Sequence, residues 1–164
     1  MKTLYVLRHA KAERDSDTGR DFDRPLAERG WSDAELVGRE ARRRGFEIVA
    51  VLASPAKRAA ETVAAFARGY GAIDPEWEPG IYNASLDRLL AIVAGADDDA
   101  DRLLIVGHNP GFEMLVMTLA GGKPLDDGMP TAALAAIELP ADRWIDVREG
   151  TGTLTTLILP RDLR

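Results

Sequence analysis

Leu4-Tyr5-Val6-Leu7-Arg8-His9-Ala10-Lys11 and Leu103-Leu104-Ile105-Val106-Gly107-His108-Asn109-Pro110-Gly111 are the two stretches that decide the fold. Each is a short apolar run ending on a histidine, and the chain contains 2 histidines in all. Apolar residues without polar alternation mark strands buried on both faces, as in a parallel sheet covered by helices. In open sheets of that kind, ligands bind just beyond the carboxyl ends of the strands. Two imidazoles, one beside an arginine, are therefore expected on a single rim. That combination suits chemistry on a phosphoryl group.

Outward from these runs, the pattern predicts a first strand over about residues 3–8, then a charged loop from Lys11 to Arg24. A helix follows from about Ala27 to Arg44, with Ala34, Val37, Gly38 and Ala41 on one face and Gly45 as its stop. Ile48 to Ala53 reads as a second buried strand. Ser54-Pro55 then reads as a serine N-cap with proline at the first helical position, which puts Arg58 in the first turn beside a strand end. Ala59, Val63 and Phe66 fall on the core side of that helix. A connection near Trp77 leads to a helix capped by Ser85, with Leu86, Leu89, Leu90 and Val93 as its stripe. Asp97 to Asp101 is a solvated loop. Asn109-Pro110 repeats the cap-and-proline signal, and the amides of its helix are expected to face the rim, a setting that favours an anion. Ala132 to Leu139 and Thr153 to Leu159 read as closing strands. The expectation is one α/β domain over residues 1–164: a mostly parallel sheet, helices on both faces, and one antiparallel strand near the C-terminus.

Composition narrows the function. At 164 residues and 46% hydrophobic content the chain can bury a substantial core. No apolar stretch approaches the roughly 18 residues of a membrane span, and the start lacks a signal-peptide pattern. There is no cysteine, hence no thiolate nucleophile and no cysteine-zinc site. These features lead us to expect a cytoplasmic protein with no membrane partner. A net charge of −6 argues against nucleic acid as a partner. It also requires any phosphate site to concentrate its own arginines. Arg42-Arg43-Arg44 reads instead as a solvated helix end that complements the dipole.

Asp15-Ser16-Asp17-Thr18-Gly19 raises a competing chemistry, the magnesium-dependent aspartyl phosphatases of the haloacid dehalogenase type. Their first aspartate directly follows the strand, whereas here Arg8 to Arg14 intervene, so this segment reads as loop. No Walker loop is present, and Asp97 to Asp101 lacks the glycine and distal glutamate of a calcium loop.

Arg8-His9, Ser54-Pro55 with Arg58, and Gly107-His108 together resemble the histidine phosphatase superfamily, also called phosphoglycerate mutase-like. The resemblance runs the length of the chain and is strongest to the small SixA-type phosphohistidine phosphatases. Arg24-Pro25-Leu26 with Gly30, and Thr131-Ala132, belong to the same pattern. Ala10 stands where glycine commonly follows the histidine, and Ala27 where a capping threonine is frequent. The first departure bears on the subfamily and the second on helix stability.

The resemblance implies that His9 attacks phosphorus and carries the phosphoryl group. That role needs a neutral imidazole with one bare nitrogen and the other proton held by an acceptor. It also implies that Arg8, Arg58 and His108, with Arg24 as a fourth donor, bind the phosphoryl oxygens. Guanidinium forks suit that task, and with them neither a metal nor another cofactor is required. No general acid is evident: Glu78, Asp15, Asp17 and Asp23 are the candidates. The expected substrate is a phosphohistidine-bearing protein. The alternatives are a phosphomonoesterase acting on a small phosphorylated metabolite and a phosphate-binding module without turnover. A mutase fits less well, because the chain looks too short to enclose its site.

Overall fold

The computed structural model describes residues 1–122 and 124–164. Among these residues six strands form one sheet: β1 (Lys2–Arg8), β2 (Ala50–Ala53), β3 (Pro75–Trp77), β4 (Arg102–Gly107), β5 (Leu134–Leu139) and β6 (Thr153–Ile158). Their order across the sheet is β3-β2-β4-β1-β5-β6. The pairs β1–β4, β2–β4 and β2–β3 are parallel, and β5 is antiparallel to both β1 and β6. β5 alone therefore runs against the rest, the single reversed strand expected near the C-terminus.

Among the described residues four α-helices cover the sheet: α1 (Glu28–Arg43), α2 (Lys57–Tyr70), α3 (Leu86–Ala94) and α4 (Gly111–Leu119). Side chains of β1 alternate between the two faces. Tyr5 and Leu7 join Val37, Val63 and Phe66 beneath α1 and α2. Leu4 and Val6 join Leu89, Phe112 and Leu115 beneath α3 and α4. Burial on both faces explains the continuous apolar runs. No helix among the described residues is long and apolar enough to cross a membrane.

Several boundaries differ from the sequence reading. β2 begins at Ala50 rather than Ile48, and β3 is a three-residue edge strand too short to show periodicity. β5 starts at Leu134 rather than Ala132, because Ala132 sits in the left-handed region with φ 62° and turns the chain there. Ser54 is not the N-cap of α2. That helix starts at Lys57 behind Ala56, and the Ser54 hydroxyl accepts instead from the Ala56 amide at 3.2 Å. The start of α4 also differs. The Phe112 amide donates to the His108 carbonyl and the Glu113 amide to Asn109 Oδ1, so these two amides of the first turn are occupied within the protein. Ser85 does cap α3, accepting from the Arg88 amide.

Candidate active site

Strand register brings the histidines together. Arg8 and Gly107 are partners at the carboxyl ends of the central strands β1 and β4, so the next residues, His9 and His108, leave the sheet side by side. The His9 amide donates to the Gly107 carbonyl at 2.8 Å, and the two imidazoles lie 5.3 Å apart, tilted by 52°. Gly107 must be glycine for this approach, since a Cβ there would stand 2.6 Å from both Ile81 and Phe112. β2 pairs with β4 on its other side, and the Ser54 amide donates to the Val106 carbonyl at 3.0 Å. Ser54 thereby arrives beside His108.

His9 Nδ1 lies 2.8 Å from the Ala10 carbonyl oxygen. A carbonyl only accepts, so Nδ1 carries the proton of the neutral ring and Nε2 is left bare. The peptide that holds it is itself anchored. The Ala10 amide donates to Thr62 Oγ1 at 2.9 Å, and the Thr62 hydroxyl donates to the Arg58 carbonyl at 2.6 Å. Burial pushes the His9 pKa down to about 4; the Ala10 bond opposes this, and the positive charges of Arg58, Arg8 and Arg24 add to it. His108 is pushed lower, to about 3, by burial first and then by His9 and Arg58. Both rings are neutral at pH 7.

The arginines are held from their outer atoms. Arg8 Nη1 donates to the Met129 carbonyl at 3.0 Å, which also accepts from Asn109 Nδ2 at 2.9 Å. The Met129 amide in turn donates to Glu113 at 2.6 Å, tying the loop before β5 to α4. Arg58, the second residue of α2, bonds the Asp21 carbonyl oxygen through Nη1 at 2.9 Å and the Asp21 carboxylate through Nη2 at 3.1 Å. Arg24 Nη1 donates to the other Asp21 oxygen at 2.9 Å, and Tyr82 donates its hydroxyl proton to Asp21 at 2.7 Å. The Tyr82 and Arg24 bonds hold the Asp21 carboxyl far below the ordinary carboxylate range, so it is an anion. Tyr82 also stands edge-on to His108, at 5.5 Å, and to Phe22, at 5.1 Å.

Among the described residues, three buried nitrogens remain without a protein partner: Arg8 Nε, Arg58 Nε and His108 Nδ1. Unpaired buried polar groups are costly, and native proteins retain few of them. All three belong to the cluster around His9, where an anionic ligand with several acceptor oxygens would satisfy them.

Arg8, His9, Arg58 and His108 thus meet on one rim, and Arg24 joins through Asp21. Glu78 is occupied elsewhere, its carboxylate accepting from the Gly80 amide at 2.9 Å. Asp23 accepts from Thr18 within the first loop. Sequence reasoning missed Asp21, Thr62 and Tyr82, and it read Ser54 only as a cap. The one available signal was Asp21 three residues before Arg24, a spacing compatible with a local ion pair.

Fold and rim together define an α/β phosphatase. The model of the histidine phosphatase superfamily (branch 1) matches residues 4–90, and the chain belongs to that superfamily. An uncharacterised protein of Mycobacterium tuberculosis is 31% identical over 165 residues, covering 94% of this chain and 100% of the relative. Among solved structures, the chain assigned as phosphohistidine phosphatase SixA of Agrobacterium tumefaciens is 29% identical. It has a TM-score of 0.80, with 97% of this chain and 98% of that one covered. The protein histidine phosphatase SixA complexed with tungstate shares the fold at a TM-score of 0.82 and 24% identity, with 99% of each chain covered.

Proposed function

We propose that this chain removes the phosphoryl group from protein phosphohistidine through a phospho-His9 intermediate, without a metal. The observation that carries the reading is the set of unpartnered buried nitrogens on Arg8, Arg58 and His108 around a neutral His9 whose Nε2 is bare. In the first step His9 Nε2 bonds phosphorus as the P–N bond to the substrate ring, already protonated on its other nitrogen, breaks, and a neutral imidazole leaves. In the second step water bonds phosphorus, the Nε2–P bond breaks, and inorganic phosphate leaves. Arg8, Arg58 and His108 bind the phosphoryl oxygens throughout, and Arg24 adds positive charge at the rim. Preorganised donors of this kind each contribute about 3–4 kcal/mol to transition-state stabilisation.

Two features support a protein substrate. Of the candidate acids, Glu78 and Asp23 are engaged by the Gly80 amide and the Thr18 hydroxyl, and an imidazole protonated on its other nitrogen leaves without a further proton donor. A groove of about 890 Å³ is lined by Lys11, Arg14, Asp15, Asp17, Asp23 and Lys57, the last adjoining Arg58 in the chain, and it offers a place for the flanking chain of a phosphoprotein. The solved SixA of Agrobacterium tumefaciens, assigned as a phosphohistidine phosphatase, supports the same substrate class.

The test is to quench turnover of a phosphohistidine peptide in alkali and search for acid-labile phosphate on the protein. We expect the label on His9, its loss together with turnover in His9→Ala, inhibition by vanadate, and full activity after exhaustive chelation. A label on an aspartate, or activity that chelation abolishes and magnesium restores, would falsify the reading. A small sugar phosphate assayed in parallel and turned over much faster than the peptide would move the substrate class to phosphorylated metabolites.

A further inference from the structure

Ser54 has no part in the mechanism above, yet it is fully buried and its hydroxyl lies 2.8 Å from His108 Nε2. We propose that Ser54 is a positioning residue that donates its hydroxyl proton to His108 Nε2, locking the ring in the tautomer that presents Nδ1–H to the phosphoryl group.

The argument is a count of protons. Ser54 Oγ already accepts one hydrogen bond, from the Ala56 amide at 3.2 Å. Among the described residues, its own proton has one acceptor within hydrogen-bond distance, His108 Nε2. If His108 instead donated from Nε2, Oγ would accept twice and the Ser54 proton would be stranded in a fully buried position, at a cost comparable to a lost hydrogen bond. The same reversal would leave a bare lone pair on His108 Nδ1, the buried nitrogen that has no protein partner. A lone pair there would face the phosphoryl oxygens and repel them. With Ser54 donating, every group is satisfied once an anion is bound. A neutral imidazole then serves as a hydrogen-bond donor without being protonated, which matters because burial and the neighbouring arginines disfavour a cationic ring.

The two histidines then follow one plan with different anchors. His9 is fixed by a backbone acceptor that takes its Nδ1 proton and leaves Nε2 bare to attack. His108 is fixed by a side-chain donor that caps Nε2 and leaves Nδ1–H to bind. Each ring carries its proton on the same nitrogen for opposite purposes. Partners that orient metal-bound histidines commonly change activity by roughly ten- to a hundredfold when removed, and Ser54 orients His108 in the same way.

The proposal rests on the proposed function only for its kinetic readout. The primary test is an ¹⁵N correlation spectrum of the imidazole nitrogens at pH 7, with the two rings assigned through His9→Gln. In the wild-type protein His108 is expected to show a protonated, pyrrole-type Nδ1 and a bare Nε2. In Ser54→Ala the two nitrogens should move towards averaged shifts, and Ser54→Thr, which keeps the hydroxyl, should restore the wild-type pattern. On an aryl phosphate, Ser54→Ala should lower kcat/KM about ten- to a hundredfold and weaken vanadate inhibition. In a His108→Ala background the same substitution should cost nothing further, because Ser54 acts through that ring. A protonated or averaged Nε2 in the wild-type spectrum overturns the proposal, as does an equal kinetic loss in both backgrounds. The wild-type spectrum decides even if Ser54→Ala fails to fold. A wild-type protein with the expected spectrum but no phosphatase turnover would overturn the proposed function and leave the tautomer assignment standing.

Discussion

Arg58 and Asp21 are joined at two points, one guanidinium nitrogen on the Asp21 carbonyl oxygen and another on its carboxylate. The Arg58 side chain is 7% exposed and that of Asp21 49%, so a buried cation is steadied by a partner that reaches in from solvent. This pair, extended by Arg24 and Tyr82, fastens the first loop to the rim. It also aims Arg58 by its outer nitrogens while leaving Nε unpartnered. Asp21→Ala should lower kcat/KM about tenfold or more for every phosphoryl substrate, the worth of a hydrogen bond to a charged group. Tyr82→Phe, which removes one of the bonds to Asp21, should cost less. Steady-state kinetics on an aryl phosphate check both, and unchanged kinetics in Asp21→Ala would show that Arg58 is aimed by other means.

Both histidines titrate below their ordinary value of about 6.5, at about 4 for His9 and about 3 for His108, chiefly through burial. Their resonances in an NMR titration of the free protein should therefore stay those of neutral imidazole down to about pH 5. A midpoint near 6.5 for either ring contradicts the arrangement. The sign for stability follows. Between about pH 6.5 and 4 the unfolded chain binds more protons than the folded one, so this contribution is complete above about 6.5 and declines as pH falls. A variant in which both histidines are replaced by glutamine should show a flatter loss of stability across that window in denaturant melts.

Leaving-group preference follows from the proposed mechanism, in which no protein acid assists departure. A proton donor contributes about 10²–10⁴-fold to the expulsion of a poor leaving group. Phosphohistidine and aryl phosphates should therefore be cleaved well and phosphoserine peptide poorly. Glu78 bonds the Gly80 amide, so Glu78→Gln should change phosphohistidine turnover only slightly. Arg58→Ala should damage all three substrates alike. Values of kcat/KM measured side by side decide the matter; equal rates on phosphoserine and phosphohistidine would mean that an acid operates.

Gly30 sits where α1 presses on the segment that follows His9. A Cβ at this position would stand 2.1 Å from the Lys11 carbonyl oxygen, with backbone rather than a yielding side chain as the obstacle. The Ala27 amide donates to that same carbonyl at 2.9 Å. Gly30→Ala should destabilise the protein by about 1–3 kcal/mol or more, which lowers Tm by several degrees in a chain of this size. Calorimetry checks the shift, and an unchanged Tm would mean that α1 can retreat at little cost.

Much of the architecture was legible because burial on both faces leaves a clear mark. β1 and β4 announced themselves as apolar runs, and the stripe of α1 matched its buried face of Ala34, Val37, Gly38 and Ala41. The convergence of Arg8, His9, Arg58 and His108 was legible because each sits at a strand end or in the first turn of a helix, where position in the fold follows from position in the chain. Asp21 was not, since its link to Arg58 joins a polar loop to a helix across 37 residues and leaves no periodic trace. Ser54 was misread for a related reason. Serine before proline signals a cap when local chemistry decides, but here the hydroxyl faces a histidine 54 residues away. β3 was too short to register at all.

The register between Arg8 and Gly107 has a consequence for how the protein comes into being. Residues from both ends of a long chain segment form the rim, and only the docking of β4 against β1 sets them side by side. A nascent or proteolysed chain that stops before residue 102 still holds Arg8, His9 and Arg58, but it lacks the strand that carries His108 and whose Gly107 carbonyl receives the His9 amide. Such a fragment should be chemically silent. Competence therefore depends on the closing of the middle of the sheet, and a chain without β4 should have no means of stripping phosphate from its surroundings.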